Sequence, residues 1–163
     1  MLKEMNSIVN ECLIQHEGGE EFFDAIDEKL RNDNVLINMM IKRVEENEVF
    51  DYIIVSGNFG EIFKKYCDFL NTELKEKIIV VNGGLRKGYD IISFWENFNL
   101  KDKKIVFIDD SYYLGRTRDK IKEAIENNNG KLICTYVFYD GSKIKEDDVH
   151  SFYRYYDYHK VNE

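Results

Sequence analysis

IVFIDDSYYLGRT, residues 105–117, is the stretch on which the reading of this 163-residue chain turns. Its first four residues are apolar and β-branched or aromatic, with Lys104 before them and Asp109 and Asp110 after them. A short run of that kind, without polar alternation, is the pattern of a strand buried on both faces of a parallel sheet. The two acids sit where such a strand should end. Gly115 can take backbone conformations closed to other residues, so a tight loop is expected after them. Thr117 is then placed to cap a helix whose apolar positions Ile121, Ala124 and Ile125 recur at spacings of three and four. Residues 127–130 (NNNG) should end that helix, with Gly130 at its C-terminal cap.

Strand, paired acids, tight loop, helix: the arrangement has a chemical use. Backbone N–H groups of a loop running into a helix N-terminus attract a phosphate, and the helix dipole adds to the attraction. Two carboxylates beside an anion site serve no purpose for the phosphate alone. They do if the ligand also offers hydroxyls, or brings a divalent metal. A sugar phosphate with Mg²⁺ meets all of these conditions.

The same stretch resembles the PRPP-binding motif of the type I phosphoribosyltransferases: four apolar residues, two acids, a few variable residues, then Gly-x-Thr. The apolar run, Asp109, Asp110, Gly115 and Thr117 fall in register with it. Tyr113 and Leu114 stand where the family usually has small hydroxyl residues, and Arg116 replaces a frequent Gly. The resemblance implies that Asp109 and Asp110 accept from the ribose hydroxyls or organise Mg²⁺, directly or indirectly. It implies that Ser111, Tyr112, Tyr113, Leu114, Gly115, Arg116 and Thr117 hold the 5′-phosphate. An ordinary βα turn with an acidic strand end is the plainer alternative.

Two further stretches repeat the device. Tyr52–Val55 is a buried-strand candidate followed by residues 56–60 (SGNFG), a loop with two glycines, and by a helix with Ile62, Phe63, Tyr66, Phe69 and Leu70 on its apolar side. Two such loops at the carboxyl edge of one parallel sheet can bracket a ligand with phosphates at both ends. By the resemblance, Ser56, Gly57, Asn58 and Phe59 face the pyrophosphate, although the family's more usual Arg-Gly-Gly is missing. Residues 77–81 (KIIVV) make a third strand, followed by a glycine-rich loop carrying Arg86 and Lys87. A mobile basic loop can close over a polyphosphate and stabilise a leaving group; two ordinary surface cations on a turn are the alternative. Leu132–Phe138 is the fourth strand. Residues 151–158 (SFYRYYDY) are dense in aromatics that suit a base-holding hood, a dimer surface or a last strand.

The N-terminal part reads as two helices at most: one with Phe22, Phe23, Ile26 and Leu30 on one face, and one in which Val35, Leu36, Met39, Met40, Arg43 and Val44 recur with helical period, capped from residues 32–34. The first 19 residues give no clear signal, and His16 receives no role.

Composition bounds the rest. With 44% hydrophobic and 33% charged residues the chain is an ordinary globular sequence, expected to form one domain over residues 1–163 with its core at about 50–140. A net charge of −8 argues against nucleic acid or an anionic membrane as partner. No apolar run approaches transmembrane length. Cys12, Cys67 and Cys134 are odd in number and lack CxxC spacing, which suits reduced thiols in a cytoplasmic protein better than a disulfide framework or a zinc site.

The expectation is therefore an α/β, doubly wound, mainly parallel sheet with helices on both faces. The resemblance implies an enzyme transferring ribose 5-phosphate from PRPP to a nitrogenous base, with Mg²⁺ as cofactor; the aromatic C-terminal segment leaves a homodimer open. A non-catalytic module that binds PRPP or a nucleotide on the same fold is the alternative. A phosphohydrolase or phosphoacceptor domain with an acidic strand end is the third option, and the Lys and Thr/Ser it needs on later strands are not evident.

Overall fold

The computed structural model describes residues 2–16, 20–70, 73–81 and 98–159. Five strands form one sheet in the order β2-β1-β3-β4-β5, and every pair is parallel. They are β1 (Tyr52–Ser56), β2 (Ile78–Val81), β3 (Lys104–Tyr112), β4 (Lys131–Asp140) and β5 (Val149–Arg154). The decisive apolar run lies in β3, at the centre.

Alternation along β3 explains why that run has no polar members. Val106 and Ile108 enter one apolar cluster while Ile105 and Phe107 enter another on the opposite face. The first cluster is covered by α1 (Leu2–Gln15), α2 (Glu20–Arg31), α3 (Asn34–Asn47) and α4 (Gly57–Leu70), the second by α5 (Arg116–Asn127). The sheet is thus wound on both faces, as the strand pattern requires. Full burial of a side chain such as Phe63 or Ile125 contributes about 1.5–3 kcal/mol.

Several local expectations need correction. Three helices, not two, precede β1. In α1, Met5, Val9 and Cys12 are all buried at spacings of four and three, a helical stripe hidden by the polar residues between them. Asp33 is the N-cap of α3, accepting from the Leu36 N–H at 3.0 Å. The C-terminus of α5 is closed by Asn129 rather than Gly130. Asn129 takes φ +59° while the Gly130 N–H reaches back to the Ile125 carbonyl at 3.0 Å, the paired hydrogen bonds of a Schellman motif. Gly130 is needed for space instead, because a Cβ there would stand 3.0 Å from the Leu100 carbonyl oxygen and from Ile125.

The aromatic C-terminal segment becomes the sheet's edge strand β5 and the short α6 (Tyr155–Tyr158). Tyr153 stacks between Tyr139, at 5.9 Å, and Tyr158, at 4.8 Å. Residues 141–148 join β4 to β5 without a helix. That excursion is pinned by buried Arg118, which bonds Asp148 and lies 3.9 Å from Glu146. At the far end of β5, Arg154 meets buried Asp140 at 3.2 Å.

Candidate functional site

The two acids do not end their strand. β3 continues to Tyr112, so Asp109 and Asp110 are consecutive strand residues and project to opposite faces. Asp109 lies beside β1, where the Ser56 hydroxyl donates to its Oδ2 at 3.4 Å, and its Oδ1 accepts from the Asp110 N–H at 3.0 Å. Asp110 turns toward α2. There the Arg31 Nε donates to its Oδ2 at 2.7 Å, and Ser111 Oγ donates to its Oδ1 at 3.2 Å.

Arg31 also lies 3.8 Å from Asp27, one helical turn earlier on α2. The Tyr113 hydroxyl donates to Asp27 at 3.2 Å. Two carboxylates, Asp27 and Asp110, therefore share one guanidinium, and Asp109 acts on the group only through its charge from the other face of β3. Burial, and then the neighbouring Asp110 charge, push Asp27 up to about 7. The same two causes hold Asp109 well above the usual carboxylate range. Asp27 and Arg31 escaped the sequence reading, although their i, i+4 spacing on the polar face of α2 was visible.

This donor set fits a magnesium ion in kind: it is all oxygen and partly desolvated, and a divalent cation relieves the part of the rise in Asp27 and Asp109 that the Asp110 charge adds to burial. Among the described residues these three carboxylates do not converge within 4.8 Å of one another, so an ion there would be shared with water and ligand oxygens.

Beyond the acids the turn is short. Ser111 and Tyr112 belong to β3, so only residues 113–115 lie between the strand and α5. Gly115 is the N-cap of α5 at φ +70°, and no side chain caps the helix; Thr117 lies inside the first turn. The first-turn amides at residues 116–118 thus lack both an intrahelical acceptor and a side-chain substitute. Gly115 is required twice over. Its φ disfavours any L side chain, and a Cβ would come 2.7 Å from the Tyr112 hydroxyl.

The three bulky residues of this segment leave in different directions. Tyr113 turns inward against Phe23, at 4.7 Å, and Tyr139, at 5.8 Å. Leu114 is 74% exposed, and Arg116 is exposed at the helix start. The side chain of Tyr112 is buried, so any ligand contact there falls to its backbone.

At the neighbouring strand the expected five-residue loop is absent. α4 begins at Gly57, immediately after Ser56, with Gly57 at φ +58°. The Phe59 side chain is 2% exposed, packed on Phe63 and Phe138, so only its backbone can serve a ligand. Asn58 is exposed. It shares an open cleft of ≈ 490 Å³ with Asp24, Glu28, Arg31 and Asn32. Arg86 and Lys87 lie outside the described residues.

Comparison with solved structures places this fold. The chain is similar to a purine phosphoribosyltransferase from Pyrococcus horikoshii, with 21% identity and a TM-score of 0.53 over 72% of this chain and 79% of that one. It is similar to an adenine phosphoribosyltransferase from Thermoanaerobacter pseudethanolicus, with 16% identity and a TM-score of 0.56 over 80% and 84%. An orotate phosphoribosyltransferase from Mycobacterium tuberculosis matches with 12% identity and a TM-score of 0.51 over 76% and 74%. No protein-family model matches the sequence, and no curated protein does. The architecture is the one these phosphoribosyltransferases share, at identities where the likeness speaks for the fold alone.

Proposed function

We propose that this chain is a phosphoribosyltransferase that moves ribose 5-phosphate from PRPP to a nitrogenous base and releases pyrophosphate. One observation carries the reading: an uncapped helix start follows a carboxylate-bearing strand end by three residues, on a sheet whose fold is shared with phosphoribosyltransferases. The α5 amides and the Thr117 hydroxyl take the 5′-phosphate, with residues 111–116 contributing backbone. Asp109 and Asp110 accept from the ribose hydroxyls. Ser56, Gly57, Asn58 and the backbone of Phe59 face the pyrophosphate, and the role assigned to Arg86 and Lys87 is to stabilise its charge as it leaves. Asp109 and Asp110 would hold Mg²⁺, directly or through water, and the ion would supply charge neutralisation to the leaving pyrophosphate.

The bond from the anomeric carbon to the pyrophosphate oxygen breaks, with its electron pair leaving on that oxygen. A bond to a nitrogen of the base forms, and the nitrogen's proton passes to solvent. Positive charge develops on the sugar ring in between. The residues therefore work by holding the ring between its phosphate and its leaving group, and by keeping carboxylates near the developing charge.

A second reading has its own observation. Arg31 occupies one oxygen of Asp110, which suits a module that binds PRPP or a nucleotide without turning it over. Calorimetry with PRPP and Mg²⁺, followed by a pyrophosphate-release screen over nitrogenous bases, separates the two. Binding with release supports the enzyme; binding with no release for any base supports the module; no binding contradicts both.

A further inference from the structure

Away from the site just described, the fold assembles a second group of chemically distinct side chains. Glu48 is the residue that closes the C-terminus of α3, Cys134 is on β4, and His150 is on β5. A carboxylate oxygen, the thiol sulfur and an imidazole nitrogen of these three all lie within 4.8 Å of one another. Among the described residues no other three potential ligands converge in this way.

We propose that Glu48, Cys134 and His150 bind a zinc-class divalent cation that ties the edge strand β5 to the end of α3. The donors are of the types zinc takes, one sulfur, one nitrogen and one oxygen, and three protein ligands leave a fourth position for water. Zinc bonds of about 2.0–2.3 Å set tetrahedral ligand atoms roughly 3.3–3.8 Å apart. Closing to that spacing requires movements of about 1 Å. Glu48 and His150 have the freedom for it, being half-buried, whereas Cys134 is held in the core at 3% exposed.

Charge points the same way. Among the described residues no Lys or Arg forms an ion pair with Glu48. Arg43 on α3 donates to the Ser151 carbonyl at 3.1 Å and lies over the rings of Phe152, at 4.9 Å, and Tyr136, at 5.8 Å. A thiolate and a carboxylate together neutralise one divalent ion, so the loaded site carries no net charge into the core. The thiol proton is released to solvent on binding, and no electron transfer is involved. The Tyr136 hydroxyl donates to Glu48 Oε1 at 2.8 Å, and its ring lies 5.0 Å from that of His150. It acts as an outer-shell residue, orienting the carboxylate while leaving the other oxygen for the metal. Linear spacing gave no hint of this, since Cys134 has no cysteine neighbour; a fold that pairs Tyr136 with His150 across two strands supplies the proximity.

The test uses the full chain, stripped with chelator and titrated with Zn²⁺ or Co²⁺ alone. Expected are one tightly bound ion per chain, a thiolate-to-cobalt charge-transfer band with tetrahedral visible bands, and a rise in Tm on loading. Cys134→Ser should remove the charge-transfer band. His150→Ala, at a half-exposed position that does not threaten folding, should remove the rise in Tm. Tyr136→Phe should weaken binding by about 10–100-fold. Failure of the wild-type chain to take up a stoichiometric ion, or a cobalt thiolate band that survives Cys134→Ser, overturns the proposal.

Discussion

Asp27 concentrates the electrostatics of the site in one side chain. Its carboxyl is raised to about 7, whereas in the unfolded chain it titrates near 4. Between those values the folded state holds a proton that the unfolded state has lost. Stability therefore falls as pH rises through that window, with a slope of at most about 1.4 kcal/mol per pH unit from this group. Asp109 is displaced in the same direction and adds to the slope. Asp27→Asn should flatten the dependence without abolishing it and should raise stability above pH 7. Urea midpoints from pH 4 to pH 8 read this, and an unchanged slope in the variant would refute it. Arg31 is the counterpart. Arg31→Met leaves Asp110, 7% exposed, without its cation and should cost about 1–3 kcal/mol, read in the same denaturation series. Only the i, i+4 spacing of Asp27 and Arg31 was legible in the sequence. The two acids were visible, but the partner that reaches Asp110 is 79 residues away.

At the level of elements, the sequence spoke clearly wherever burial was continuous. The cores of β1, β2, β3 and β4 and the apolar faces of α2, α3, α4 and α5 were readable, because a run or stripe of apolar residues has few other uses. It spoke poorly at ends. β3 and β4 run past the expected limits, because Asp110 and Asp140 are buried with arginine partners rather than set out in solvent. A carboxylate reads as a strand end until its partner is known. The cap of α5 was misread for a related reason: Thr117 has the chemistry of a cap, but Gly115 has the conformation. Two substitutions test these termini. Gly115→Ala meets both the positive φ and the Tyr112 hydroxyl, so a loss of at least about 1–2 kcal/mol is expected. Tyr112→Phe in the same chain should recover the steric part only. Asn129→Gly should instead stabilise the protein, by up to about 1 kcal/mol, since its left-handed conformation costs glycine nothing. A neutral or negative change in thermal midpoint would contradict that assignment.

Across the whole molecule, the N-terminal helices are part of the core rather than an addition to it. Met5, Ile26, Leu36 and Val44 share one apolar cluster with strand residues Val55, Ile108 and Phe138. This packing delivers α2, and with it Asp27 and Arg31, to the carboxylates of β3. The apolar run at residues 105–108 pointed to a central strand of a parallel sheet, and the fold agrees with it. The segment proposed to face pyrophosphate was less legible: α4 starts where a loop was expected, and Phe59 is consumed by the core. If Arg86 and Lys87 act on the departing pyrophosphate, replacing both by Ala should lower kcat more than it raises KM. Steady-state kinetics with the accepted base reads the difference, and an effect confined to KM would assign them to uniform binding instead.

The proposed function requires Asp109 and Asp110, near the end of β3, and the open start of α5 to hold a ribose phosphate together. Calorimetric titration of PRPP with Mg²⁺ into the wild-type chain and into Asp109→Asn/Asp110→Asn tests it most directly. The expected result is one PRPP per wild-type chain, with affinity reduced about tenfold or more in a variant whose circular dichroism is unchanged. Absence of binding to the wild-type chain, or equal affinity in a folded variant, would contradict it.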